Sequence, residues 1–303
     1  MRIARTVLGP IAAFAIVAGA TACSSSSDGG TDAAPPSIGP VQQLTDMSHQ
    51  ALPLEAYMLQ PGQFATIMSA RRQLVTQCMQ RFGFDYQPAT ADGGTDPTAG
   101  KTQSQMRYVD SSAHVSAYGY HQEPGVGAPA VEPQRSPTEL AVLTGSPDGG
   151  DAPGQATGRD IPEGGCFGEV DRTLAQRGVI IQDDELVSTI NIEGMSRSTQ
   201  DPRLKQAFTA WSACMKGKGY TYATPKEANQ DPRWSTPTAS AEEIGTAVAD
   251  LACMTENNVV GTWFAVESAY QKQQIEANFE KLEQVRRSID TSIRVANGIV
   301  AAG

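Results

Sequence analysis

The chain has 303 residues, 33 acidic against 23 basic side chains, and a formal net charge of −10. That balance argues against nucleic acid as a partner, because affinity for it comes mostly from Lys and Arg neutralising phosphates. It argues equally against electrostatic adsorption to anionic lipid, and is more consistent with solubility.

Arg2 and Arg5 precede an apolar run from Val7 to Ala20, and Ala20-Thr21-Ala22-Cys23 follows, ahead of four serines. Short, uncharged and ended by small residues, the run reads as a bacterial export signal over residues 1–22. A cysteine at the cleavage point makes it resemble a lipoprotein signal, although Ala20 stands where an aliphatic residue is usual. The resemblance implies that Cys23 becomes the first mature residue and carries the lipid, palmitate included. The chain would then be anchored to the outer face of the cell membrane. The alternatives are simple secretion or a retained span, for which the run falls short of the roughly 20 apolar residues needed. Losing Arg2 and Arg5 with the signal takes the charge from −10 to −12. Residues 23–40, the lipidated cysteine and a stretch rich in Ser, Gly, Asp and Pro, form a flexible tether with a coil dimension of roughly 20–25 Å.

The first strong element carries Phe64, Ile67, Met68, Leu74, Val75, Cys78, Met79 and Phe82 at mostly three- and four-residue steps, the face of a helix. Gly83 supplies its left-handed stop. Residues 87–165 hold 9 prolines and 13 glycines, which makes long loops with at most short helices or strands the expectation. Arg107 to His121 is the most ordered part expected there. After Cys166, Leu174 to Ile181 and the apolar Leu186, Ile190 and Ile192 fit a helix or short strands equally well.

Asp201-Pro202 then opens a second helix, with a capping residue and proline at the first helical position. Leu204, Phe208, Trp211, Cys214 and Met215 form its apolar face, and Gly219 ends it. Ser240-Ala-Glu-Glu243 reads as a capping box, followed by Ile244, Val248 and Leu251 on one face. Asn257-Asn258 and Gly261 break or bend that helix. One final helix from about Thr262 carries Ile275, Phe279, Leu282, Ile289, Ile293 and Ala296, interrupted by Arg286. Packing on its own domain is the simpler reading of that stripe, and self-association the other.

Four cysteines remain after Cys23, and an even set in an oxidising exterior reads as two disulfides. Three pairings exist. An internal echo favours Cys78–Cys166 and Cys214–Cys253: Cys78-Met79 to Tyr86 and Cys214-Met215 to Tyr222 both read Cys-Met-x-x-x-Gly-aromatic-x-Tyr. A redox pair or metal site is the weaker reading, because no Cys-x-x-Cys spacing occurs. The repeated motif, with Gly164-Gly165-Cys166 and the Cys253 region, resembles uncharacterised surface lipoproteins of actinobacteria. That group brings no established activity with it.

Catalytic templates are missing. There is no Gly-x-Ser-x-Gly, Ser-x-x-Lys, His-Glu-x-x-His or phosphate-cradling Gly-x-x-x-x-Gly-Lys. His114 and His121 are candidates for a general base or metal ligand, with a partly packed aromatic loop as the simpler account. Asp183-Asp184-Glu185 could serve a cation or act as an acid/base pair, with a solvated turn as the simpler account. Trp211 belongs in the core, whereas exposure of Trp234 would point to a sugar platform.

The expected fold is mainly α: a disulfide-stapled helical domain with a long Pro/Gly-rich loop region and a long C-terminal helix. The expected organisation is signal 1–22, tether 23–40, first helix-and-turn half 41–200 and second half 201–303. No cofactor, no metal and no catalytic residue is assigned. The expected function is a non-enzymatic binding or accessory module for a protein or cell-wall ligand, with a wall-directed hydrolase and a self-associating structural protein as alternatives.

Overall fold

The computed structural model describes residues 34–45, 47, 49–88, 101, 102, 104, 105, 112–124, 133–146 and 154–302. Cys23, the export signal and Arg107 to Ser111 lie outside the described residues. The fold is mainly α. A 3-10 turn over Pro53–Tyr57 leads into α1 (Pro61–Arg81). Two short helices follow, α2 (Ser112–Tyr118) and α3 (Pro137–Thr144), and then a two-stranded hairpin pairing Gln155–Ala156 with Arg159–Asp160. Next come α4 (Gly165–Gln176), α5 (Glu185–Gln200), α6 (Pro202–Gly217) and the short α7 (Pro225–Asn229). A 3-10 turn at Pro232–Trp234 precedes α8 (Ala241–Glu256), α9 (Val259–Ala277) and α10 (Phe279–Ala301).

The two echoed helices end alike. Gly83 and Gly219 take left-handed φ of 80° and 93°, and Phe84 and Tyr220 donate back to the carbonyls of Met79 and Met215, closing each helix. Asp201 caps α6 by accepting from the Arg203 amide. Each echo carries a disulfide: Cys78 is bonded to Cys166, and Cys214 to Cys253. The first is sealed in the core, while Cys214 is half-exposed, because α6 turns Met215 rather than Cys214 fully inward.

Three of the four apolar clusters among the described residues hold most of the helices. The first joins α1 and α4 with the end of α10 through Ile67, Val75, Met79, Val170, Leu174 and Ala296. A second joins α6 and α8 through Leu204, Trp211, Met215 and Cys253. The third joins the first 3-10 turn, α5 and α10 through Leu54, Val187, Ile190, Leu282 and Ile289. α10 thus completes the core of α1, and α9 packs against α5, α6 and α8.

Several faces differ from expectation. The final helix is two: Asn278 leaves helical geometry at φ −120°, ψ 19°, although no Gly or Pro marks the break. Phe279, next to it, is 56% exposed, and so is Phe64 at 44% in the first turn of α1. The stripe Leu282, Ile289 and Ala296 is buried within the chain itself, and Arg286 pairs with Glu283 on the outside. On α8 the expected apolar face is not the innermost one: Val248 is exposed and Ile244 and Leu251 are only half-buried. Glu243, Ala247, Asp250 and Cys253 take the inside instead, for a reason that lies in the site.

Candidate functional site

Two places among the described residues bear on function. The first is a buried carboxylate pair on α8. Glu243 and Asp250 lie seven residues apart, two helical turns, and both face inward, at 0% and 3% exposure. Their donors come from the turn after α2. Glu243 Oε1 accepts from the Tyr120 amide at 2.9 Å and meets His121 Nδ1 at 2.7 Å. Asp250 accepts from the Tyr120 hydroxyl at 2.9 Å and from Trp211 Nε1 at 2.8 Å. Gly119, at φ 59°, permits this approach, since a Cβ there would stand 2.9 Å from Glu243 Oε1.

Ser240 caps α8 by accepting from the Glu243 amide, so half of the expected capping box forms. The other half does not, because Glu243 turns into the core to hold the Tyr120–His121 turn. His121 Nε2 lies 2.6 Å from the Thr236 carbonyl oxygen, an atom that only accepts, so this nitrogen donates. With Nδ1 against a carboxylate, both ring nitrogens face acceptors, which favours the protonated ring. The Thr236 carbonyl, first, and the Glu243 carboxylate raise its pKa above the ordinary value. Burial pushes Asp250 up to about 6 against hydrogen bonds from Tyr120 and Trp211 that lower it. Tyr120 rises too, from burial and from Asp250. His114 Nε2 lies 2.9 Å from the His121 carbonyl oxygen, so the two histidines belong to one turn. The arrangement is a latch pinning the turn to α8, with both nitrogens of His121 engaged.

The second place is a cleft of about 920 Å³ between α9 and the segment over residues 34–45. That segment is tied down at both ends. Arg203 Nη1 donates to the Pro36 carbonyl at 2.9 Å, while Asn258 donates to the Gln42 carbonyl at 2.9 Å and accepts from the Leu44 amide at 3.3 Å. Asn258 does so from a left-handed φ of 44°, at the corner where α8 gives way to α9. The expected break is therefore at Asn257-Asn258, and Gly261 lies inside α9. It is glycine because the segment crosses it: a Cβ there would sit 2.0 Å from the Gln42 carbonyl oxygen. Leu44 and Met47 are buried beside Trp263 and Phe264.

Gly261, Ala265, Ser268 and Ala269 give the cleft a floor of small residues, with Lys272 and Glu276 toward one end. Ser268 is 8% exposed, and its hydroxyl oxygen is buried without a hydrogen-bond partner. A buried hydroxyl left unsatisfied costs about 1–3 kcal/mol.

The remaining sequence candidates have structural employment. Asp184 caps α5 by accepting from the Leu186 amide, and Asp183 accepts from the Leu59 amide while burial raises its pKa, so these acids do more than form a solvated turn. Trp211 is fully buried. Trp234 is only 7% exposed, with its indole donating to the Ala228 carbonyl, which places it in the interior instead of on a sugar platform. Among the described residues no three His, Cys, Asp or Glu side chains converge as metal ligands would, and no described helix is long and apolar enough to cross a membrane. No protein-family model, curated protein or solved structure matches the chain.

Proposed function

We propose that the chain is a tethered binding module, anchored to the outer face of the cell membrane through lipid on Cys23, which presents the α9 cleft to its ligand. The observation that carries this reading is the cleft itself, walled by residues 36–44 and floored by the small residues Gly261, Ala265 and Ala269 of α9. Two disulfides suit an oxidising exterior. The repeated cysteine motif is the basis for grouping the chain with actinobacterial surface lipoproteins. Both ring nitrogens of His121 are engaged in the latch, which favours the binding reading over a hydrolase that uses this histidine. Self-association through α10 needs a free stripe, and that stripe is buried on α1 and the 3-10 turn.

Two measurements test the proposal. Intact-mass analysis of the native membrane fraction should find an acylated chain, and Cys23→Ser should release it unacylated. A wild-type chain without acyl mass would refute the anchor. Hydrogen exchange should show residues 36–42 and 261–276 more protected in native envelope preparations than in the purified chain. Equal exchange in both would refute the binding role.

A further inference from the structure

We infer that α2 and the turn after it form a proton-operated flap, closed on α8 while the His121 ring carries two protons and released when the ring is neutral. The placement of the ring dictates this. Nδ1 lies 2.7 Å from the Glu243 carboxylate and Nε2 lies 2.6 Å from the Thr236 carbonyl oxygen. The protonated ring supplies an N–H to each oxygen, whereas a neutral ring has only one N–H and must turn a lone pair toward the other. Either tautomer therefore opens one side of the clasp. The His121 side chain is 22% exposed, so the ring can lose its proton to solvent before the flap moves, while the Glu243 side chain that it covers is fully buried.

Apolar packing adds little to the clasp. Val115 is the one buried residue of α2, and the main contact of that helix is α8. The turn adds Tyr120, whose ring lies 6.4 Å from that of Trp234 and whose hydroxyl donates to Asp250. The charged groups around His121 act together. From α8, Glu243 faces the ring and Asp250 lies under Tyr120, while Glu242 is paired on the outside with Arg233 of the 3-10 turn, which also holds Asp231. Burial raises Asp250, and the Thr236 and Glu243 oxygens raise His121, so both groups bind a proton more tightly with the flap closed. Both therefore favour closure at low pH and release as pH rises through the raised values. His114 of α2 needs one N–H to reach the His121 carbonyl, and the neutral ring also supplies one. Release gives Glu243 and Asp250, now 0% and 3% exposed, back to water, and rehydration of two buried carboxylates drives the flap outward once the ring proton is gone.

Hydrogen exchange tests the flap on the mature chain, over the pH range in which NMR shows the His121 ring to titrate. The amides of Gly119, Tyr120 and His121 are bonded to Val115, Glu243 and Tyr118. Their protection, corrected for the intrinsic exchange rate, should fall about tenfold or more with the same midpoint as the ring, while amides of α1 and α6 keep theirs. His121→Gln carries no titratable group and should remove the step, whereas Asp250→Asn should keep it because the ring still titrates. Circular dichroism checks folding. If His121→Gln does not fold, Glu243→Gln decides, since it should move the ring titration and the exchange step together to lower pH. Constant protection in the wild type, a step that survives His121→Gln, or a step that stays put while the ring titration moves would overturn the inference. So would loss of protection in α1 and α6 at the same pH, which would be unfolding of the whole chain instead of release of the flap.

Discussion

Replacing Asp250 by Asn isolates one ionisation in the buried latch. Asp250 is 3% exposed, and its pKa is about 6 against an ordinary 3.8, because burial penalises the carboxylate more than Tyr120 and Trp211 stabilise it. A carboxyl whose pKa is raised by folding binds its proton more tightly in the folded state, so stability grows as pH falls through about 6 and levels off near 4. Linkage gives about 1.3 kcal/mol of added stability between pH 7 and pH 5 from this group, or about 3–5 °C in Tm for a domain of this size. Asp201, lowered chiefly by Arg203, works in the opposite sense, and His121 adds its own dependence. Both are shared by wild type and variant and cancel in the difference. Asn keeps the latch, because its oxygen accepts from the Trp211 indole and its amide donates to the Tyr120 oxygen. Thermal unfolding at pH 7, 6 and 5 should therefore show the wild type gaining about 3–5 °C on Asp250→Asn as pH falls. Parallel curves would refute the assignment of a buried, ionised Asp250.

Glu243→Gln removes the charge facing His121, so the His121 ring protons, followed by NMR, should titrate above the ordinary histidine value in the wild type and closer to it in the variant; the same midpoint in both would show that Glu243 does not hold the ring charged. Gly261→Ala sets a Cβ 2.0 Å from the Gln42 carbonyl and should expel the crossing segment, at a cost of about 1–3 kcal/mol. Limited proteolysis should then cut between residues 34 and 52 much faster than in the wild type, and an unchanged rate would place the segment elsewhere. Mild reductant under native conditions should open Cys214–Cys253 before Cys78–Cys166, since Cys214 is half-exposed while Cys78 and Cys166 are 2% and 0% exposed. Mass mapping of alkylated thiols checks the order. Separately, Cys78→Ser with Cys166→Ser should lower stability by about 4–5 kcal/mol in the chain-entropy model, read from denaturant midpoints.

What was legible in the sequence is what local chemistry decides. Gly83 and Gly219 end their helices because a left-handed residue is needed there, and Asp201-Pro202 starts α6 through a side-chain cap and a fixed φ. The α8 face was not legible, because apolar periodicity assumes that carboxylates face water. Glu243 and Asp250 face inward only because Tyr120 and His121, more than 120 residues earlier, bring donors to them. The break at Asn278 has no Gly or Pro to mark it. The cleft was hidden for a similar reason: its floor looks like an unremarkable run of small helical residues until the segment over 34–45 crosses it. Gly261 carries a trace of that crossing, since glycine in a helix interior costs about 1 kcal/mol relative to alanine, but from sequence alone a helix break explains it equally well. The structure puts it under the Gln42 carbonyl. One glycine thus ties residues 36–44 to the floor of the cleft, and loss of that contact should remove the wall.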